Sequence, residues 1–421
     1  MISSTRREAL MSHGGIAIAN LGPGHERDIV TGSHFGNFYH YHNRSERAVE
    51  LAEQQLARTE GGQVLRSPLI SATPIAYGNG LVVGGEGALF YLAFAGFSSE
   101  GLPRYARPVD VLEENALLYA GTLPVVNAAD VNGDGKVDLV IGNSEGKIRL
   151  FLNRGSNTVP AFERGAPLEA GGEPIHTQQG YWGIQGPGEA RWGYISPCVV
   201  DWNGDGLPDI VSSDATARHS LYLNRGKGLD VARPLYCDGL ELHGTWRVRP
   251  GAAKMGTRMA YVALDDDDQF HLYWRIDNQN LRDAGKLKLD DGSPIGANFL
   301  SAGGTGRSKI TLADWDGDGV VDLIVGTPRH GSVPNPKTGL PKALGLRGSS
   351  VLWLRNTGTN DAPVFAFPKL LHVRGEPLYL GQHECSAAVT ELGGAKGGPN
   401  LIVGDEEGRV HFFRRENITW K

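Results

Sequence analysis

Asp130-Val-Asn132-Gly-Asp134-Gly-Lys-Val-Asp138, running directly into Leu139-Val-Ile141, is an acidic loop that feeds an apolar strand. The pattern returns at Asp201-Trp-Asn203-Gly-Asp205-Gly-Leu-Pro-Asp209 before Ile210-Val211. It returns again at Asp314-Trp-Asp316-Gly-Asp318-Gly-Val-Val-Asp322 before Leu323-Ile-Val325. Weaker copies of the strand and its closing glycine stand at Ile29-Val-Thr-Gly32, Leu81-Val-Val-Gly84 and Leu401-Ile-Val-Gly404. After most of these anchors comes a short turn and an alternating strand such as Phe38-Tyr-His-Tyr41, Leu89-Phe-Tyr-Leu92 or Val351-Leu-Trp-Leu354. Alternation with period two is a strand signature.

The anchor spacing roughly doubles between Ser213 and Gly326, so a degenerate unit is expected there. Ala260-Tyr-Val-Ala-Leu264 followed by Phe270-His-Leu-Tyr-Trp274 fits that place. The count becomes seven units of about 60 residues. Each reads as strand A, acidic loop, strand B, short turn, strand C and a longer connection carrying strand D. The expected fold is all-β: a single domain over residues 1–421, a seven-bladed β-propeller with calcium-binding A–B loops. The blades fall near residues 13–60, 61–115, 116–185, 186–240, 241–300, 301–380 and 381–421, with residues 2–8 closing the ring as an outer strand.

Composition agrees. The 421-residue chain holds 59 glycines and is 40% hydrophobic, which suits many short strands joined by turns. Its net charge of -6 leaves no basic footprint for nucleic acid. No run reaches the ~18 apolar residues that span a bilayer. Cys198, Cys237 and Cys385 show no pairing pattern, and Cys198 and Cys385, beside predicted strands, are expected as buried apolar residues.

Calcium takes six to eight oxygens. The first, third, fifth and ninth loop positions supply them: Asp130, Asn132, Asp134 and Asp138; Asp201, Asn203, Asp205 and Asp209; Asp314, Asp316, Asp318 and Asp322. The glycine at the sixth position permits the sharp turn. Carboxylates clustered without a cation would repel one another. About three structural Ca2+ sites are expected. These loops resemble the FG-GAP or VCBS repeats of integrin-type propellers, clearly in the third, fourth and sixth units. Asn20-Leu-Gly-Pro-Gly-His-Glu-Arg-Asp28 and Leu392-Gly-Gly-Ala-Lys lack the ligand set, and no metal is expected there. Calcium loops point to a secreted or periplasmic setting, although Met1–Leu10 has no apolar signal core.

In four-stranded antiparallel blades the connections entering strand A, and the B–C turns, lie opposite the A–B loops. Counting back seven positions from Asn20, Asp201 and Asp314 gives His13, Tyr194 and Arg307, while Asp130 gives Leu123. The B–C turns contribute His34 and Glu86, and the long insertion in the sixth unit adds Arg329 and His330. Trp182, Arg191 and Trp192 enter before the fourth blade and do not recur between units, which favours a binding role. Trp202 and Trp315 do recur and read as blade packing. Tyr39, His40, Tyr41 and His42 read as packing or surface residues of an alternating strand, and Asp265–Asp268 as a solvated turn.

In outline the chain is similar to the seven-bladed propeller polysaccharide lyases of the ulvan and rhamnose–glucuronate type. That resemblance implies β-elimination on a uronic-acid-containing glycan: an Arg neutralises the carboxylate, His or Tyr removes the C5 proton, and a second group protonates the leaving oxygen. The implied catalytic set is His13, His34, Tyr194 and either Arg191 or Arg307, with Trp182, Trp192, Arg329, His330 and Glu86 binding substrate. The expected partner is an acidic polysaccharide or oligosaccharide and the expected state a monomer. A glycoside hydrolase on the same scaffold, or a non-catalytic adhesion propeller, are the alternatives. A metal-dependent hydrolase using the acidic loops is disfavoured, because protein ligands fill them.

Overall fold

A computed structural model describes residues 15–33, 36–67, 72–84, 89–111, 118–177, 192–297, 307–328, 332–334, 341–343, 349–381, 383–394 and 396–420. The proposed closing segment, residues 2–8, lies outside them. Among the described residues every element is a strand except the 3-10 turn Arg415–Asn417. Among these residues no helix is long and apolar enough to cross a membrane.

The chain forms two compact units, Met1–Leu117 and Leu118–Lys421. The first unit holds two sheets, the first antiparallel and the second mixed, with Arg58–Thr59 parallel to Pro103–Tyr105. One runs Ile16–Ala19, Asp28–Gly32, Phe38–Tyr41 and Gln55–Leu56; the other is built on Thr73–Tyr77, Gly80–Gly84, Phe90–Phe97 and Pro103–Tyr105. They share one core, in which Val30 and Phe38 of the first sheet meet Leu81, Val83 and Tyr105 of the second.

The second unit holds the third to seventh sheets, whose first strands are Val125–Ala129, Ser196–Val200, Gly251–Met255, Lys309–Ala313 and Ser386–Thr390. The degenerate fifth sheet is present, with Arg258–Leu264 and Phe270–Arg275 as its second and third strands. The seventh has three strands among the described residues, and the C-terminal Ile418–Trp420 pairs instead with Lys369–Val373 of the sixth.

The unbroken apolar runs have a simple cause. Successive side chains of a strand face opposite ways, and the second strands of the third to seventh sheets are covered on both faces. Leu139 and Ile141 pack with Leu392 and Ile402 of the seventh sheet. Val140, between them, packs with Ile195 and Ile210 of the fourth. The fourth and fifth sheets share Val211 and Tyr261, the fifth and sixth share Val262 and Ile310, and the sixth and seventh share Ile324 and Leu401. Each fully buried Val, Ile or Leu contributes about 1.5–3 kcal/mol. Trp202 and Trp315 are buried in these seams, as their recurrence implied, and Cys198 and Cys385 are buried too.

The five first strands touch in a closed cycle: third to fourth, fourth to fifth, fifth to sixth, sixth to seventh, and seventh back to third. The Val126 N–H reaches Ser386 Oγ at 3.3 Å across the last junction. This corrects the expected seven-spoked ring. That ring would place the first and second sheets between the seventh and the third, whereas the seventh packs directly on the third. The arrangement is β-propeller-like, with five sheets in the cycle.

Arg249 sits at the centre, 3% exposed. It donates to Asn127 Oδ1 at 2.7 Å, Ala387 O at 2.6 Å and Pro197 O at 3.4 Å, and to Thr311 Oγ1. One guanidinium from the fifth sheet therefore ties the first strands of the other four. Its planar fork of five donors is suited to this, where a lysine could not reach all four.

Candidate functional site

The acidic loops leave the far ends of the first strands as the sequence required. Gly135, Gly206 and Gly319 carry φ of 80°, 85° and 86°, a left-handed turn that side chains resist. The first-position carboxylates organise the loops: Asp314 accepts the N–H groups of Gly317, Asp318 and Gly319 at 2.8–3.1 Å, and Asp130 those of Gly133, Asp134 and Gly135. Carboxylate oxygens of Asp314, Asp316 and Asp318 lie within 4.8 Å of one another. Oxygens at ~2.4 Å from one calcium would stand no farther apart, so these residues fit the ion. The guanidinium of Arg355 bridges Asp316 at 2.7 Å and Asp318 at 2.9 Å.

The ninth-position residues are engaged differently. Asp138, Asp209 and Asp322 are fully buried and accept backbone N–H groups from Val131 and Asn153, Trp202 and Asn224, and Trp315 and Asn356 respectively. Burial pushes the Asp322 carboxyl up to about 6, against the hydrogen bonds from Asn356 and Trp353, and the neighbouring Asp316 adds to the rise.

The opposite ends of the same strands carry the second constellation. Two residues before the first strands lie Leu123, Tyr194, Arg307 and Glu384, and Arg247 enters the fifth sheet in the same way. Leu123, Tyr194 and Arg247 share positive φ of 52°, 44° and 56°. Each donates its N–H to a turn of a neighbouring sheet, at Glu406 O, Ser144 O and Asp214 O. Because this conformation recurs, it belongs to the blade entry and is not strain special to one residue. The side chains do not recur, and there the chemistry differs.

Glu384, 3% exposed, accepts Arg247 Nη2 at 3.1 Å and Lys309 Nζ at 3.1 Å, and His383 Nδ1 lies 3.7 Å away. Lys309 Nζ also donates to Arg247 O at 2.8 Å. Burial alone would raise the Glu384 carboxyl, but Lys309 and Arg247 hold it well below the usual carboxylate range. Burial pushes Lys309 down to about 8, and the nearby positive charges of Arg247 and Arg307 push the same way. The Glu384 carboxylate thus meets two cations, Arg247 and Lys309.

Aromatic rings flank this cluster. The Arg247 guanidinium lies 3.8 Å over the Tyr194 ring, Trp192 stacks on Tyr194 at 5.3 Å, and Trp246 meets it edge-on at 5.5 Å. Tyr194 and Trp192 are buried; Arg307, Trp246 and His383 are half-buried.

The structure therefore brings together Tyr194, Trp192 and, through its charge at Lys309, Arg307. His13, His34, Arg191, Trp182, Glu86, Arg329 and His330 lie outside the described residues. Counting back from acidic loops missed Arg247, Trp246, His383 and Glu384, because the fifth and seventh units have no such loop to count from, and it stopped two residues short of Lys309 in the sixth. Counting from strand anchors would have found them. The Asp265–Asp268 run is a turn, with Lys286 Nζ 3.5 Å from Asp265 and 2.5 Å from Asp267.

One reading is corrected in the first unit. His40 and His42 are not mere packing or surface residues, because both turn onto the buried carboxylate of Asp28, as does His25.

Residues 130–212 match the family model described as an FG-GAP-like repeat, which covers the third and fourth sheets' acidic loops. The chain thus carries FG-GAP-like repeat sequence on a β-propeller-like, all-β fold. A search of curated proteins gives no match. Among solved structures, BBS1N in complex with ARL6DN is 13% identical with a TM-score of 0.28, covering 94% of this chain and 90% of that one. A provisionally assigned exo-beta-1,3-galactanase from Bifidobacterium bifidum s17 is 12% identical with a TM-score of 0.36, covering 74% of this chain and 94% of that one.

Proposed function

We propose that the protein recognises an acidic saccharide at the strand-entry end of the five-sheet cycle, and that Ca2+ stabilises the acidic loops at the other end. The observation that carries the first part is the grouping of Arg247 and Lys309 on Glu384, with the charge of Arg307 near Lys309, beside the rings of Trp192, Tyr194 and Trp246. Buried Arg247 and Lys309 set the local potential, and half-buried Arg307 and Trp246 meet the ligand. A carboxylate gains from the guanidinium fork and a pyranose face from the ring.

Within this reading the chain is a polysaccharide lyase of the uronate class, with Arg307 neutralising the carboxylate and Tyr194 moving a proton. The alternative is a binding propeller that holds the same glycan without turnover. A panel of glucuronate-containing polysaccharides, followed by ultraviolet absorbance of the unsaturated uronate product and by direct binding, separates them. Product formation supports the lyase. Binding without product supports the adhesion reading. Neutral glycans bound as tightly as acidic ones would remove both.

A further inference from the structure

We propose that His25, Asp28 and His40, joined by His42, form a binding site for a borderline divalent transition metal of the Zn2+ class in the first unit. His25 Nδ1 and His40 Nε2 both lie 2.6 Å from Asp28 Oδ2, and His42 Nδ1 lies 3.0 Å from Oδ1. Donor atoms of His25, Asp28 and His40 all fall within 4.8 Å of one another. Asp28 and His40 are buried, while His25 and His42 side chains are 29% and 34% exposed, so an ion can enter from their side. Phe97 walls the site, its ring 4.2 Å from that of His25.

The departure from the repeat is the telling part. Asp28 occupies the place of Asp138, Asp209 and Asp322, and its Oδ1 likewise accepts a backbone N–H, from Asn43 at 3.0 Å. In those three sheets the second oxygen accepts the N–H of Val131, Trp202 or Trp315. In the first sheet the corresponding Leu21 N–H is diverted to His25 O at 3.0 Å, which leaves Oδ2 to the imidazoles. By register His40 opposes Val30 as Leu150 opposes Val140, Leu221 opposes Val211 and Trp353 opposes Ile324, so an imidazole stands where the third and fourth sheets place leucine and the sixth a tryptophan.

Three imidazoles and one carboxylate are a zinc-type donor set and a poor calcium set, since calcium prefers oxygens. Around zinc the bonds are about 2.0–2.2 Å and tetrahedral donors stand about 3.3 Å apart. Binding therefore requires only a small opening of the present contacts.

The test uses the full chain, stripped with a chelator, then equilibrated with Zn2+ alone or Ca2+ alone, desalted and analysed for metal by mass spectrometry. One zinc per chain is expected, with a Zn2+-induced rise in melting temperature that His25→Ala and His42→Ala diminish. His25→Ala and His42→Ala, at part-exposed positions, should keep the circular dichroism of the parent and weaken zinc binding by about tenfold or more each. X-ray absorption should show nitrogen and oxygen neighbours at about 2.0 Å. Failure to retain zinc, or retention unchanged in both variants, overturns the proposal.

Discussion

Arg249 Nη2 donates to Asn127 Oδ1 at 2.7 Å, although the two residues are 122 positions apart. That bond joins the fifth sheet to the third across the centre of the cycle. Its charge is met there by carbonyl, amide and hydroxyl oxygens.

Replacing Arg249 with leucine should cost roughly 3 kcal/mol or more, because several buried acceptors lose a charged donor at once. Chemical denaturation of Arg249→Leu against the parent measures it. A loss below about 0.5 kcal/mol, within the surface-substitution range, would show that the apolar seams close the cycle without it.

Glu384→Gln should destabilise by about 3–5 kcal/mol, since Arg247 and Lys309 would be left buried without their anion. The parent should also show the matching pH dependence. The Glu384 carboxyl is depressed in the fold, so its stabilising contribution is complete above its unfolded value of about 4.3 and is lost as pH falls toward the folded value. Melting curves between neutral and strongly acidic pH should show that acid-side loss, and Glu384→Gln should flatten it.

Asp322 carries the opposite sign. Its carboxyl is raised to about 6 in the fold, so as pH climbs from about 4 through that value the fold loses stability from this group. Calcium bound in the loop would offset the cost of ionisation. The calcium-induced rise in melting temperature should therefore be larger at pH 7 than at pH 5. An equal rise at both would separate Asp322 from the ion.

Arg355→Gln tests the same loop from outside. The guanidinium bridges Asp316 and Asp318 and competes with a cation. Its removal should tighten calcium binding by several-fold in calorimetry, one exposed ion pair being worth about 0.2–1 kcal/mol. Weaker calcium binding would mean that Arg355 supports the loop instead.

At the strand-entry end, Arg307→Ala should weaken binding of acidic polysaccharide while leaving thermal unfolding nearly unchanged, as Arg307 is half-buried. Tyr194→Phe keeps the ring under Arg247 and removes only the hydroxyl. If the protein is a lyase, this variant should bind glycan and lose turnover. Unaltered turnover would exclude Tyr194 from proton transfer.

The sequence by itself determined the repeat: Asp130, Asp201 and Asp314 mark turns whose chemistry is local, and runs such as Leu139-Val-Ile141 mark strands covered on both faces. Those properties are written within a few adjacent residues. It also pointed to the end of the strands where Tyr194 and Arg307 sit. It did not determine the order in which sheets meet, because an apolar strand face is equally satisfied by any neighbour of the right shape. Only the tertiary structure placed the seventh sheet on the third, set Arg249 at their centre, and gathered Arg247, Lys309 and Glu384 from three separate sheets. It alone turned His25, His40 and His42 onto Asp28, because the side chains that meet a buried charge are chosen by packing across strands and not by spacing along the chain.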